Sequence, residues 1–267
     1  MITQSIFKDI DGELFMGNLG GEIQRFNAQF AFTKKIQIGT GQYNRILHIE
    51  KSIFHPQDLY IVCDEGFFIW HDYKKHSNKV ERIVQQAGKC VHQNTLQKKI
   101  FIGTSGFLYE YDAKTGNVLE RLKKRITAFC ETGNGELFFC GSDGLYKITA
   151  NNIKYLAAVN PRLSCRAVAM LPYQASGIWI ATSSEGLLLL RNDSIIKQIT
   201  KYEGLNSDMI TTLYQDTKGH LWVGTNKGLN KIIFDNGNLN KMRISTYSVQ
   251  NGLIDNTIND VTLRNDS

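Results

Sequence analysis

With 267 residues, 42% of them hydrophobic and 21% charged, the chain can bury a substantial core, and its 14 Phe, 11 Tyr and 3 Trp exclude a disordered polymer. The formal charge of +6 is spread over scattered pairs such as Lys34-Lys35 and Lys98-Lys99, which argues against a nucleic-acid partner, since such partners need a concentrated basic stripe. Only 3 prolines accompany 23 glycines, the balance expected of many tight strand turns.

Along the chain, six segments share one layout: ELFMGNLGG (13–21), DLYIVCDEG (58–66), KIFIGTSG (99–106), ELFFCGSDG (136–144), GIWIATSSEG (177–186) and HLWVGTNKG (220–228). Each has an aliphatic residue, an aromatic, two further residues and a glycine turn. The aromatic anchors are Phe15, Tyr60, Phe101, Phe138, Trp179 and Trp222, spaced 45, 41, 37, 41 and 43 residues apart. Two residues past each anchor stands Gly17, Val62, Gly103, Cys140, Ala181 or Gly224, five of them small enough for sheets to stack closely. An apolar run ending in a turn precedes each anchor, a short strand follows each glycine, and a fourth, more variable strand completes the unit. Four short antiparallel strands every ~41 residues is the signature of a propeller blade.

The expected fold is therefore all-β, a single β-propeller of four-stranded antiparallel blades over 1–267. The blades fall at about 1–40, 41–85, 86–122, 123–163, 164–206 and 207–254, with a partial blade over 255–267. Residues 257–264 (TINDVTLR) read as the first strand of that seventh blade. Because the same strand already opens blade one at 2–9, the chain reads as an excerpt of a longer, seven-bladed array.

The stretch from Tyr202 to Leu229 is the most regular, and its start recurs at 247–261 as YSVQNGLIDNTINDV. It resembles the two-component regulator propeller repeat: Gly-Leu, a polar pair, Asn or Asp, an inner strand, Asp-x-x-Gly-x-Leu-Trp-[Ile/Val]-Gly-Thr, then Gly-Leu. Gly204, Leu205, Asp208, Ile210, Asp216, Gly219, Leu221, Trp222, Val223, Gly224, Thr225, Gly228 and Leu229 match the pattern, and in the second copy Gly252, Leu253, Asn256 and Ile258 do. Blades one to three preserve only the skeleton. The resemblance implies a periplasmic sensor region of a Bacteroidetes hybrid histidine kinase or related regulator, the extracytoplasmic part of an inner-membrane protein, commonly detecting glycan fragments. It further implies self-association through the parent receptor and a phosphorelay to a kinase that this segment does not contain.

No catalytic signature is present: no Gly-x-Ser-x-Gly elbow, phosphate loop or His-Glu-x-x-His. No metal and no cofactor is implied. The five cysteines, with no Cys-x-x-Cys among them, read as small buried hydrophobes, and no apolar run approaches the ~18 residues of a membrane helix. His48 and His92 fall on first strands of neighbouring blades.

Thirteen residues before the anchors of blades four to six stand Arg125, Arg166 and Met209, at the start of the innermost strand; blade three offers Lys89 beside that position and blade two Arg45. Arg45, Lys89, Arg125 and Arg166 are the candidate ligand contacts, a ring of cations suited to an anionic small molecule or oligosaccharide, the alternative being that they pair with neighbouring carboxylates such as Glu131 or stay solvated. The loops carrying Asp64, Asp143, Glu185 and Lys227 belong to the same face, and Tyr43, Trp70 and Tyr173 are candidates for stacking on sugars, Trp70 also for packing between blades. The expected function is a non-catalytic recognition propeller of a two-component receptor. The alternatives are a propeller enzyme of lyase or quinoprotein type and a protein–protein scaffold.

Overall fold

The computed structural model describes residues 3–41, 43–75, 77–149 and 152–262. Among them are six four-stranded antiparallel sheets, each made of four consecutive strands in up-and-down order. Blade one comprises β1 (Thr3–Lys8), β2 (Leu14–Asn18), β3 (Glu22–Phe26) and β4 (Phe32–Gln37). Blade two comprises β5 (Ile46–Lys51), β6 (Leu59–Cys63), β7 (Gly66–Trp70) and β8 (Val80–Val84). Blade three runs over β9 (Gly88–Asn94), β10 (Lys99–Thr104), β11 (Leu108–Asp112) and β12 (Val118–Leu122). Blade four has β13 (Ile126–Glu131), β14 (Leu137–Gly141), β15 (Gly144–Ile148) and β16 (Ile153–Tyr155). Blade five has β17 (Ala167–Tyr173), β18 (Gly177–Thr182), β19 (Leu187–Arg191) and β20 (Ser194–Ile199). Blade six has β21 (Ile210–Gln215), β22 (Leu221–Thr225), β23 (Gly228–Phe234) and β24 (Met242–Tyr247). These sheets are propeller blades, and the chain divides into two compact units between Thr127 and Ala128, inside β13.

The core lies in the second and third strands. β6, β14 and β18 are buried along their whole length, as strands covered on both faces must be, and they read as continuous apolar runs. β12, a fourth strand, alternates nowhere and is largely exposed. Five of the six anchors are almost wholly buried, each worth roughly 2–3 kcal/mol of burial, whereas Trp222 is half-buried.

Neighbouring blades meet in two recurrent ways. An anchor takes an aromatic from the next blade's third strand: Phe15 meets Trp70 edge-on at 6.1 Å, and Trp179 stacks on Phe234 at 5.6 Å. The small residue two past the anchor receives the isoleucine that opens the next first strand. A Cβ on Gly17 would stand 2.5 Å from Ile46 Cβ, and one on Gly103 2.8 Å from Ile126 Cβ, so no larger side chain fits without movement.

Residues 257–262 form no strand of a sheet, and 263 and 264 lie outside the described residues. Among the described residues no second strand lies beside this segment. Its anchoring contacts are nonetheless in place. Ile258 lies against Gly224 as Ile46 lies against Gly17, and its N–H donates to Thr225 O at 3.0 Å.

The connector before blade six is repeated after it. Around Thr200–Asp208, Lys201 N donates to Asp208 Oδ1 (2.7 Å), Thr200 N to Glu203 Oε2 (2.7 Å) and Leu205 N to Thr200 O (3.1 Å). Around Ser248–Asn256, Val249 N donates to Asn256 Oδ1 (3.0 Å), Ser248 N to Asn251 Oδ1 (3.0 Å) and Leu253 N to Ser248 O (3.3 Å). Gly204 and Gly252 both adopt positive φ, 116° and 96°, which explains the glycine of the Gly-Leu pair.

Candidate functional site

The most regular part of the repeat turns out to be turn chemistry. In blade six Asp216 closes the turn between β21 and β22: its N–H donates to His220 O, and Gly219 N donates back to Asp216 O. One carboxylate oxygen accepts from Lys218 N (3.0 Å) and His220 N (2.9 Å), the other from His220 Nδ1 and the Trp222 indole, both at 3.0 Å. Burial opposes the charge on Asp216, but these hydrogen bonds outweigh it and its pKa is lowered. Thr225, at the end of β22, donates from Oγ1 to Gly228 O (2.8 Å) and accepts from Lys227 N; Thr182 and Thr104 do the same for their own turns. Asp, Gly, Trp and Thr of the pattern are therefore a self-satisfying hydrogen-bond set, not a reactive constellation.

Three of the four candidate cations directly precede the first strand of their own blade. Arg45 precedes Ile46, Arg166 precedes Ala167 and Met209 precedes Ile210, and the carbonyls of all three accept from the residue after the second strand: Asp64, Ser183 and Asn226. Arg125 precedes Ile126, which packs on Gly103 in the same manner. Lys89 is not at this position. In blade three the carbonyl that accepts, from Ser105, belongs to Ala87, and Gly88 opens the strand, so Lys89 sits two residues further in. Nor is Arg45 available. Its guanidinium grips Asp64 through Nε (2.7 Å) and Nη2 (3.0 Å), and with this partner the Asp64 pKa is lowered. Arg125 and Arg166 remain exposed, with no carboxylate partner among the described residues. Asp143 accepts from the Tyr146 hydroxyl at 3.0 Å, which commits it to its own blade.

Other candidates resolve similarly. His48 Nε2 lies 3.1 Å from Glu50, and among the described residues no three His, Cys, Asp or Glu side chains could hold a metal ion. The cysteines form no disulfide among the described residues; burial pushes the Cys63 thiol up to about 11 and that of Cys130 up to about 12, far from a thiolate nucleophile. Trp70 is buried between blades one and two and donates to Ser77 O, so it packs and does not stack on a ligand, whereas Tyr43 is 91% exposed. Two polar clusters in blade two escape the residue pattern. His71 is held between Asp58 (3.0 Å) and Glu81 (3.1 Å), and Glu65 lies against the backbone of 40–41. Their members are far apart in sequence, and only the Gly-Thr-Gly at 39–41 gave a local signal.

Up-and-down four-stranded sheets that stack through a small residue on the second strand define a β-propeller. Residues 204–227 match the family Two component regulator propeller, and the chain carries that family's repeat. Among solved structures it is similar to the extracellular domain of a hybrid two component system from B. thetaiotaomicron (TM-score 0.67, 16% identity, covering 97% of this chain and 35% of that one). It is similar also to PorZ, a surface component of the type-IX secretion system of Porphyromonas gingivalis (TM-score 0.63, 13% identity, 92% and 47%). A third likeness is to catalytically inactive virginiamycin B lyase from Staphylococcus aureus, crystallised with quinupristin (TM-score 0.67, 10% identity, 93% and 84%). At these identities the likeness is one of fold, and the chain spans about a third of the first of these proteins. No curated protein matches the sequence. No helix among the described residues is long and apolar enough to cross a membrane.

Proposed function

We propose that the chain is a ligand-recognition propeller of a two-component signalling receptor, placed outside the cytoplasm and performing no chemistry itself. It binds an oligosaccharide or other small molecule and passes the signal to a kinase elsewhere in a self-associating receptor. The observation that supports this reading most is the match at 204–227, together with the second copy of the connector at 248–256. The polar side chains described above serve turns, caps and ion pairs, and the cysteine thiols are held protonated, which favours recognition over turnover. Exposed Arg125, and separately exposed Arg166, each offer an anionic ligand a paired-donor fork.

The test is a thermal-shift panel of neutral and acidic oligosaccharides on the whole chain, with chromatography of every ligand after incubation. At least one ligand is expected to raise Tm saturably and to be recovered unchanged. Conversion of a ligand into products would replace the reading with a propeller enzyme, and a flat panel would remove it.

A further inference from the structure

Gly39, Thr40 and Gly41 form a backbone cradle at the end of blade one, and a carboxylate from blade two already lies in it. Thr40 N donates to both oxygens of Glu65, at 2.9 and 3.1 Å, and Gly41 N donates to Oε1. The Thr40 hydroxyl stands 3.5 Å from Oε2. Both glycines are needed for this approach: a Cβ at Gly41 would stand 2.6 Å from Glu65 Oε1, and one at Gly39 2.7 Å from its Cδ. Successive N–H groups that converge on one anion make a concave anion site whatever the source of the anion.

The surroundings extend beyond what a loop staple requires. Arg82 lies over the Phe68 ring at 5.9 Å, and its Nη1 is 3.9 Å from Glu65 Oε2, so the guanidinium is held on the ring with no hydrogen bond of its own among the described residues. Beside the cradle is an open depression of about 410 Å³ lined by Gln37, Thr40, Phe68, Asn78 and Arg82. Amides, a hydroxyl and a guanidinium around an anion cradle suit a ligand that carries a carboxylate on a hydroxyl-rich frame. The Glu65 backbone is pinned by its N–H to Asn44 Oδ1 (3.0 Å), so vacating the cradle requires only a side-chain swing.

We propose that this cradle binds the carboxylate of an acidic, polyhydroxylated ligand such as a uronic-acid sugar, and that Glu65 is its built-in occupant, displaced on binding. The proposal rests on the reading of the chain as a recognition propeller and builds its site from residues other than the strand-start arginines.

The experiment is chemical rescue in the whole chain. Glu65→Ala is melted in chloride, acetate and glucuronate at equal ionic strength. Acetate and glucuronate are expected to raise its Tm saturably by about 2 °C or more over chloride. Glucuronate should act at roughly tenfold lower concentration than acetate, an advantage of about 1.4 kcal/mol. The wild type should respond only weakly, and Glu65→Ala with Arg82→Ala should lose the rescue. Equal response of wild type and Glu65→Ala, or none in either, would overturn the proposal. Should Glu65→Ala not fold, Glu65→Gln titrated with glucuronate by calorimetry takes its place, with tighter binding than wild type expected and equal or absent binding sinking the idea. Rescue with no hit in the oligosaccharide panel would keep the cradle and remove the sensor reading. A panel hit indifferent to Glu65 would do the reverse.

Discussion

Blades one and six use the same turn residue in opposite ways. Asp9 and Asp216 each stand six residues before their anchor, and each makes the same two backbone hydrogen bonds across its turn. Asp216 then spends its carboxylate inside its own blade, on His220 and Trp222. Asp9 turns its carboxylate to the neighbouring blade, accepting from the Tyr73 hydroxyl (2.5 Å) and pairing with Lys74 (3.0 Å) and Lys51 (3.4 Å). The anchor differs accordingly. Trp222 brings its own N–H to the aspartate, whereas Phe15 has no polar atom to offer and lies edge-on to Tyr73 at 5.5 Å. Changing one anchor from Trp to Phe thus frees the turn aspartate to become an inter-blade tie. Blade six satisfies this polar group within itself, and blade one exports it.

The sharpest way to break this comparison is Asp9→Ala. It strands the buried Tyr73 hydroxyl and takes a partner from Lys51 and from Lys74, the latter keeping Asp11, and is expected to cost about 3 kcal/mol by denaturant titration. Burial alone would raise the Asp9 pKa, but hydrogen bonds from Tyr73 and Lys74 outweigh it and hold it at about 2, against 3.8 for the free side chain. Since the folded value is the lower, this stabilisation is complete above pH 4 and fades as the pH falls towards 2. Melting wild type and Asp9→Asn across that window should show their Tm gap closing only below pH 4.

Asp216→Ala should cost about 2 kcal/mol, because the Trp222 indole and turn N–H groups can partly turn to water at this less buried site. A loss equal to or above that of Asp9→Ala would erase the distinction between internal and exported turns. Gly17→Ala comes next, at roughly 1–2 kcal/mol, since Ile46 belongs to a full sheet and cannot retreat. Gly224→Ala should cost less, because Ile258 sits on a segment outside any sheet. Equal losses in a urea series would mean that 257–262 is as rigid as a blade. Smallest of all is Arg45→Ala, whose ion pair with Asp64 is solvent-exposed; its Tm should barely move and its response to salt should be slight.

Much of the architecture was legible because it rests on residue size. Phe15 through Trp222 mark second strands, and Gly17, Gly103 and Gly224 mark where the next isoleucine arrives. The rim was harder to read. Counting back thirteen from an anchor finds Arg125 and Arg166 but misses in blade three, because Phe101 pairs nine residues back, at His92, whereas Trp179 and Trp222 pair eight back, at Leu171 and Tyr214. The Asp9–Tyr73 tie and the Glu65 cradle were invisible for another reason. Both join residues of different blades, 64 and 25 positions apart, that no local pattern links.

The connector shared by Thr200–Asp208 and Ser248–Asn256 closes its own loop within nine residues, and in the first copy Asn206 also reaches forward to Asn230 and Lys227 of blade six. Such a joint makes few demands on the blade that follows: the isoleucine two residues after its last cap and, in blade six, the buried Asn230 that accepts from Asn206 N. An array assembled this way can gain, lose or exchange blades at the joint wherever the incoming blade supplies those two contacts and a pocket for Leu205. The well-kept motif of this chain would then be the common fastening, and the divergent blades between fastenings the part free to acquire new surfaces.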